Sequence, residues 1–328
     1  MLTKNNFLGA DGFVWWMGVV ENRKDPLNLG RCQVRVIGWH TENLQLIPSA
    51  DLPWAHPIIP VNTSNVNKSP KEGDYVIGLF FDGPSGQFPG YFGVVPGIPT
   101  VSATPGTGFA DQRTSAQVAA SPSYLGNAPT TFPNRLGEPT TSRLYRNENA
   151  TTTVLGKEIA GVVTGISAAD GSTWSQPAPS YNAVPPYNDV KETESGHVME
   201  FDDTPGYERV HVAHRTGTYT EMRPDGSKVT RVVGNNYEVI AGNDYVNIQG
   251  VCNITVNGNA NLQVGGVLNT TVGSNMNLNV GGSFNVNGNM NLNGNLNQTG
   301  NINQNGNINQ NGSQNVSGTV TAGGFNLN

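Results

Sequence analysis

Charge is what this chain has least of. Lysine, arginine, aspartate and glutamate together make up 13% of its 328 residues, and none of them occurs after Asp244. That share is about half the usual one. The formal charge of −6 arises entirely before Tyr245, and no basic run points to a nucleic-acid partner. The only two cysteines, Cys32 and Cys252, stand far apart, so no disulfide framework is implied. The apolar run from Phe13 to Val20 is too short to span a membrane, and no charged-then-apolar leader opens the chain. The expectation is a soluble product made in a cytoplasm, in which Asn-x-Ser/Thr triplets such as Asn62–Ser64 are incidental.

Glycine, in contrast, is abundant, and in the last third it is periodic. It falls at Gly234, Gly242, Gly250, Gly258 and Gly266 and again at Gly282, an eight-residue step with Ser274 standing in once beside Gly273. The step then shortens to six, through Gly288, Gly294, Gly300, Gly306, Gly312, Gly318 and Gly324. Between the glycines apolar residues keep even offsets, as at Ile254 and Val256, Leu262 and Val264, Met290 and Leu292. A period of two means strands with one face in and one face out. A fixed turn residue closing each short strand means a β-helix or solenoid.

A repeat of six or eight residues spans roughly 20 to 26 Å and offers only two or three inward side chains. One such strand per repeat encloses no core by itself. A single-chain left-handed hexapeptide helix suits the six-residue part and fits the eight-residue part badly. Three chains wound together satisfy both periods and leave no long free edge. About thirteen repeats, each climbing roughly 4.8 Å, then make a rod on the order of 60 Å long that tapers where the step shortens. The expected object is a needle built by a homotrimer.

Outward positions of this needle are mostly Asn, Thr and Ser, whose stacked amides can bond to one another. Toward the end Gln298, Gln304, Gln310 and Gln314 take offsets that Leu and Val hold earlier. Buried amides need partners, so rings of amides around water or an ion on the axis are expected there. No other cofactor is implied. Phe325 and Leu327, tripled by symmetry, make an apolar platform expected to dock a tip protein; the alternative is that they plug the needle's own core.

Ahead of the needle, residues 1–100 read as a small β-barrel of the oligonucleotide/oligosaccharide-binding type, with strand-like runs at Trp15–Glu21, Cys32–Trp39, Asp74–Phe81 and Tyr91–Val95. Pro53, Pro57 and Pro60 mark a long connection. Residues 101–190 turn rich in Pro, Ser, Thr, Ala and Gly and read as an extended linker, in which only Leu144–Gly165 suits a short helix or strand pair. Residues 191–233 return to short β elements around Pro205-Gly206 and Pro224-Asp225-Gly226, a collar feeding residues 234–328. The fold class expected is all-β: barrel, linker, collar and triple-stranded β-helix.

Little here carries chemistry. His211 and His214 alternate across a strand, and neither they nor His197 have partners at ligand spacing. Cys32 belongs to a strand and packs. No Gly-x4-Gly-Lys-Ser/Thr cradle is present, and the glycine repeats lack the aspartates that calcium repeats need. Trp15, Trp16, Trp39 and Trp54 could form a stacking platform, but core and trimer packing is the preferred use.

Two separated stretches carry a resemblance. Gly18-Val19-Val20-Glu21-Asn22-Arg23-Lys24-Asp25-Pro26-Leu27-Asn28-Leu29-Gly30-Arg31, followed by Gln33–Gly38, resembles the start of the central spike proteins of T4-like contractile-tailed phages. Glu192–His197, Glu200–Gly206 and His214–Tyr219 are similar to the root of that family's needle. Type VI secretion spikes share the plan. The resemblance implies a homotrimer at the baseplate centre of a virion, hub or tail-tube proteins at the barrel, a small conical protein on the tip, and passage through the host outer membrane when the sheath contracts. Assembly in the host cytoplasm follows from it.

One departure matters. A well-known member of the family carries a lysozyme domain where residues 101–190 stand here. A muramidase needs a general acid and a second positioned group in a folded cleft, whereas Asp111, Glu138, Glu148, Glu158, Asp170 and Asp189 are scattered through linker-like sequence. The expectation is therefore a structural, non-enzymatic spike. The alternatives are the spike of a bacterial contractile injection system, a carbohydrate-binding fibre, for which the needle has few aromatics, and a peptidoglycan hydrolase.

Overall fold

Where apolar residues alternate in the first hundred residues, strands form, and the alternation sets which side faces in. The computed structural model describes residues 13–61, 69–97, 141–147, 153–193, 195–321 and 323. Five strands close a barrel in the order β1-β2-β3-β5-β4: β1 is Trp15–Asn22, β2 Cys32–Val36, β3 Trp54–Pro57, β4 Tyr75–Phe80 and β5 Pro89–Val95. All neighbours run antiparallel except β3 and β5, which pair in parallel through His56 with Gly90 and Pro57 with Tyr91.

Trp16, Val20, Cys32, Val34, Val36, Ala55, Val76, Phe80 and Tyr91 fill the barrel. Gly78 makes room for the largest of them. A Cβ on Gly78 would lie 2.1 Å from the Gly90 carbonyl oxygen and 2.3 Å from the Trp16 ring. Four of the five strands coincide with the apolar runs in the sequence. β3 does not: it lies inside the proline-marked stretch read as a connection. It is short and ends at Pro57, which has no N–H to give to the ladder.

The turn between β1 and β2 is fixed by Asp25. Its carboxylate accepts the backbone N–H groups of Leu27, Leu29 and Arg31 and the Arg31 guanidinium at 2.6 Å. That guanidinium, with the backbone bonds behind it, holds the Asp25 carboxyl far below the usual carboxylate range. Asn28 and Gly30 both take positive φ, at 55° and 76°.

The collar is a second, fully antiparallel sheet in the order β12-β11-β10-β9-β8. β8 is Asn188–Glu192, β9 Val198–Asp202, β10 Arg209–Ala213, β11 Tyr219–Met222 and β12 Lys228–Arg231. β8 runs across the point where linker and collar were divided in the sequence. Of the linker, residues 101–140 and 148–152 lie outside the described residues. The remainder holds the helix α1 (Val154–Ala160) and a small hairpin of β6 (Ile166–Ser167) and β7 (Thr173–Trp174). Thr153 caps α1, accepting the N–H of Gly156 at 3.1 Å. Leu144, Val154 and Leu155 pack with Val198, Ala213 and Tyr219 of the collar. What reads as linker is thus in part the lid of the collar's core.

The chain divides into two units, Met1–Asn259 and Ala260–Asn328. After Arg231 no described residue joins a strand ladder, and unassigned segments alternate with bends.

Candidate functional site

The collar sheet is inside out. Along β9, Val198, Glu200 and Asp202 face the interior while Met199 and Phe201 face outward. β10 does the same, burying Arg209 and His211 and exposing Val212. Register brings the outward residues together: Val212 lies opposite Met199, and Val210 lies opposite both Phe201 and Met222. Met199 and Phe201 are 45% exposed and Val212 and Met222 51%. An apolar face of this kind on a sheet that buries its charges calls for a partner surface.

The buried face is a network of ions. Arg209 contacts Glu200 at 2.5 Å and Glu221 at 3.6 Å and stacks over the Tyr181 ring at 4.8 Å. His211 stands 2.7 Å from Glu158 of α1 and 3.9 Å from Glu200. Burial pushes the Glu200 carboxyl upward, against the opposing pull of Arg209. Among the described residues these groups do not converge as a metal-ligand set.

Along the repeats, bends fall where the sequence places its turns. Gly234, Gly242, Gly250, Gly258, Gly266, Gly282, Gly288, Gly294, Gly300, Gly306, Gly312 and Gly318 all sit at one, and so does the Gly273–Ser274 pair. The two periods use different turns, with Gly318 resembling those of the longer step. Gly288, Gly294, Gly300, Gly306 and Gly312 take φ of 150°, 148°, 120°, 134° and 136°, a region that side chains rarely adopt. The glycines from Gly234 to Gly282 keep φ outside it. Ser274 can therefore replace glycine in an eight-residue step, where no forbidden φ is required.

The repeats expose an unbroken apolar series. Val239 is 92% exposed, Ile254 81% and Leu262 79%, and the series continues through Met276, Phe284, Met290, Leu296, Ile302 and Ile308. The polar side chains bond locally, within single turns. Asn235 donates to the Tyr237 hydroxyl and Asn243 to that of Tyr245, eight residues on. Gln298, Gln304 and Gln310 each donate across the following glycine to a backbone carbonyl three residues ahead, at 3.2, 3.1 and 3.0 Å. Each amide has a second N–H and an oxygen besides. Gln314 lies two residues after its glycine rather than four, so it occupies the place that Ile302 and Ile308 hold in earlier repeats. Gly324, Phe325 and Leu327 lie outside the described residues.

No protein-family model matches the chain. Protein Gp5 of Vibrio phage KVP40 is 35% identical over 272 residues, 71% of this chain and 61% of that protein. The pre-baseplate central spike protein Gp5 of Enterobacteria phage T4 is 47% identical over 66 residues, 20% of this chain and 12% of that one. The chain is homologous to phage Gp5. It spans less than two thirds of the length of either relative.

The remaining side chains of this Gp5 homologue fall as follows. His211 is buried and His214 exposed, as strand alternation requires. His197 and His214, which the sequence left apart, flank the Val198–Ala213 pair and stack at 4.4 Å. The Nδ1 atoms of both accept backbone N–H groups, those of Arg215 and Thr216. Cys32 is buried, and burial pushes its thiol up to about 11; Cys252 is exposed.

Of the four tryptophans weighed as a stacking platform, Trp16 is in the barrel core. Trp39 leans on Phe80 at 5.0 Å, and Arg31 covers Trp54 at 5.4 Å. Trp15 is exposed and meets Phe13 and Phe92 at 5.7 and 5.6 Å on the outer barrel wall. Among the carboxyls considered for a hydrolase, Asp111, Glu138 and Glu148 lie outside the described residues. Glu158 is sealed beneath the collar, Asp170 turns back to Ser172, and Asp189 is exposed on β8.

Proposed function

We propose that three copies of this chain assemble into the central spike of a phage baseplate, and that the spike pierces the host outer membrane when the tail contracts. One observation carries the reading. A single chain leaves the apolar side chains of every repeat in water, in phase with turns that fix a common strand length. At roughly 25 cal/mol per Å² of apolar surface, covering such a series is a strong drive to associate. Three interwound chains cover it and leave no open sheet edge. The outward face of the collar, around Phe201 and Val212, is a second uncovered apolar surface and supports the same assembly.

The function that follows is mechanical. In an interwound needle no segment opens without three chains losing hydrogen bonds together, so axial force is carried without fraying. A surface of Asn, Thr and Ser costs less to desolvate than a charged one as it passes through lipid. Amide rings at Gln298, Gln304, Gln310 and Gln314 would use the hydrogen-bonding capacity that the turn contacts leave over. The outer barrel wall of Trp15, Phe92 and Ile77 offers a surface for a hub or tail-tube protein, and the opposite terminus a place for a tip protein.

Light scattering on the purified chain tests the assembly. The expected mass is three times 34.8 kDa, in a species that resists detergent on an unheated gel; a monomer overturns it. A peptidoglycan zymogram tests the non-enzymatic reading, with no clearing expected.

A further inference from the structure

The collar sheet ends on both sides in an outer strand with one backbone neighbour. β8 pairs with β9 alone and β12 with β11 alone. Hydrogen bonds of an antiparallel pair engage every second residue of each strand. Thr193 donates its N–H to the His197 carbonyl and Asp203 donates to that of Tyr187, so the odd-numbered residues of β8 are the ones bonded to β9. Val190 therefore turns its N–H and C=O away from the sheet. At the other edge Arg223 donates to the Ser227 carbonyl, so Val229 and Arg231 bond toward β11 while Lys228 and Thr230 turn their backbone groups outward. Backbone groups aimed off a sheet edge are a template for one more strand.

The two edges match each other. Register carries across the whole sheet, so that Asp189 shares a row with Lys228, Val190 with Val229 and Lys191 with Thr230. Because every neighbour is antiparallel, β8 and β12 run in the same direction. Laid alongside with rows level, β12 of one copy sets Lys228 beside Asp189 of the next, on one face and with opposite charge. Both side chains are exposed. On the other face Val229 meets Val190, and each of these already packs against the collar core. There is room at the β8 edge. A cleft of about 500 Å³ runs beside residues 190–193, with Ile58, Phe92 and Val94 of the barrel on its far wall.

We propose that β12 of one copy adds to β8 of the next in parallel register, so that three collar sheets close into a single ring. The inference rests on the three-copy assembly proposed above and says which strands join it. The contact is heterologous, with a different edge on each side, and such contacts form rings when the rotation closes. Rotation about an axis along the strands preserves their direction, as the parallel pairing requires. Closure turns one face of every sheet to the interior, and the apolar face around Phe201 and Val212 is the one that gains from it.

Disulfide trapping in the full-length protein tests the pairing. Cys252→Ser removes the exposed native thiol, and Cys32 is buried. Into this background go Asp189→Cys with Lys228→Cys, and separately Lys191→Cys with Thr230→Cys. All four positions are exposed, so each copy keeps its fold. Within one chain the paired positions are four strand spacings apart, roughly 19 Å, too far for a disulfide. After oxidation, covalent dimers and trimers are expected on a non-reducing denaturing gel, at least ten-fold above the level from any single substitution. Light scattering on the same samples separates the two readings. A three-chain mass with no covalent band from either pair overturns the edge pairing and leaves the assembly standing. A monomer mass for the wild-type protein overturns both.

Discussion

The guanidinium of Arg35 forks onto the carboxylate of Glu21, at 2.5 and 3.0 Å, with both side chains sealed from water between the barrel wall and the loop that follows β2. The two stand on paired strands, and further bonds extend the pair. Arg35 also donates to the carbonyls of Thr41 and Ile47, and Ser49 donates to Glu21. The pair therefore holds the loop between β2 and β3 against the barrel wall. Replacing Arg35 by alanine strands a buried carboxylate and should cost about 3–5 kcal/mol. Urea unfolding of the barrel is the measurement. Arg35→Ala together with Glu21→Ala should cost less than the two single losses added, because removing both partners leaves no orphan charge.

The two kinds of needle turn predict opposite tolerances. Gly306→Ala places a side chain at φ 134° and should cost about 1–3 kcal/mol per chain. Gly258→Ala meets neither a neighbouring atom nor a restricted φ, and should be neutral or stabilising by a few tenths of a kcal/mol. Thermal midpoints of the two variants decide this, and equal losses would sink the distinction.

Phe201→Asp puts a carboxylate on the outward face of the collar without touching the buried network on the other side. If that face is covered in the assembly, the variant should lose the three-chain mass or shift its assembly midpoint to at least ten-fold higher protein concentration. Wild-type assembly in this variant would show that the collar face stays open.

Gly78→Ala tests the barrel core. The new methyl would overlap the Trp16 ring and the Gly90 carbonyl, an overpacking that costs about 1–3 kcal/mol. A shift in Trp fluorescence should accompany the loss of stability.

Mild acid should weaken the fold. Burial lowers His40, His56 and His197 below 6.5, helped by Arg35, Arg31 and the neighbouring His214 in turn. Just below 6.5 the unfolded chain then binds more protons than the folded one, so stability falls as pH drops. The depressed Asp25 adds a second loss at much lower pH, as the pH falls through its folded value. Glu200, raised by burial, works in the opposite sense. Thermal midpoints should decline from pH 7 to pH 5.5, and a rise over that interval would contradict the histidine assignment.

What the sequence determined by itself was whatever repeats or alternates. Glycine spacing set the bends at Gly234 through Gly318, because a turn residue acts on its own backbone. Alternation set four barrel strands, because side-chain direction along a strand is a local property. β3 escaped notice because its pairing with β2 and β5 outweighs a proline-rich local signal. Tertiary structure alone decided the polarity of the collar. Period two in Val198–Asp202 says that Glu200 and Phe201 face opposite ways, but not which of them is inside. That choice came from α1, whose Glu158 and apolar first turn cover the charged face. Glu158 and Glu200 stand on elements well separated along the chain, a distance over which no local pattern acts, and the charges became an interior only when helix and sheet met.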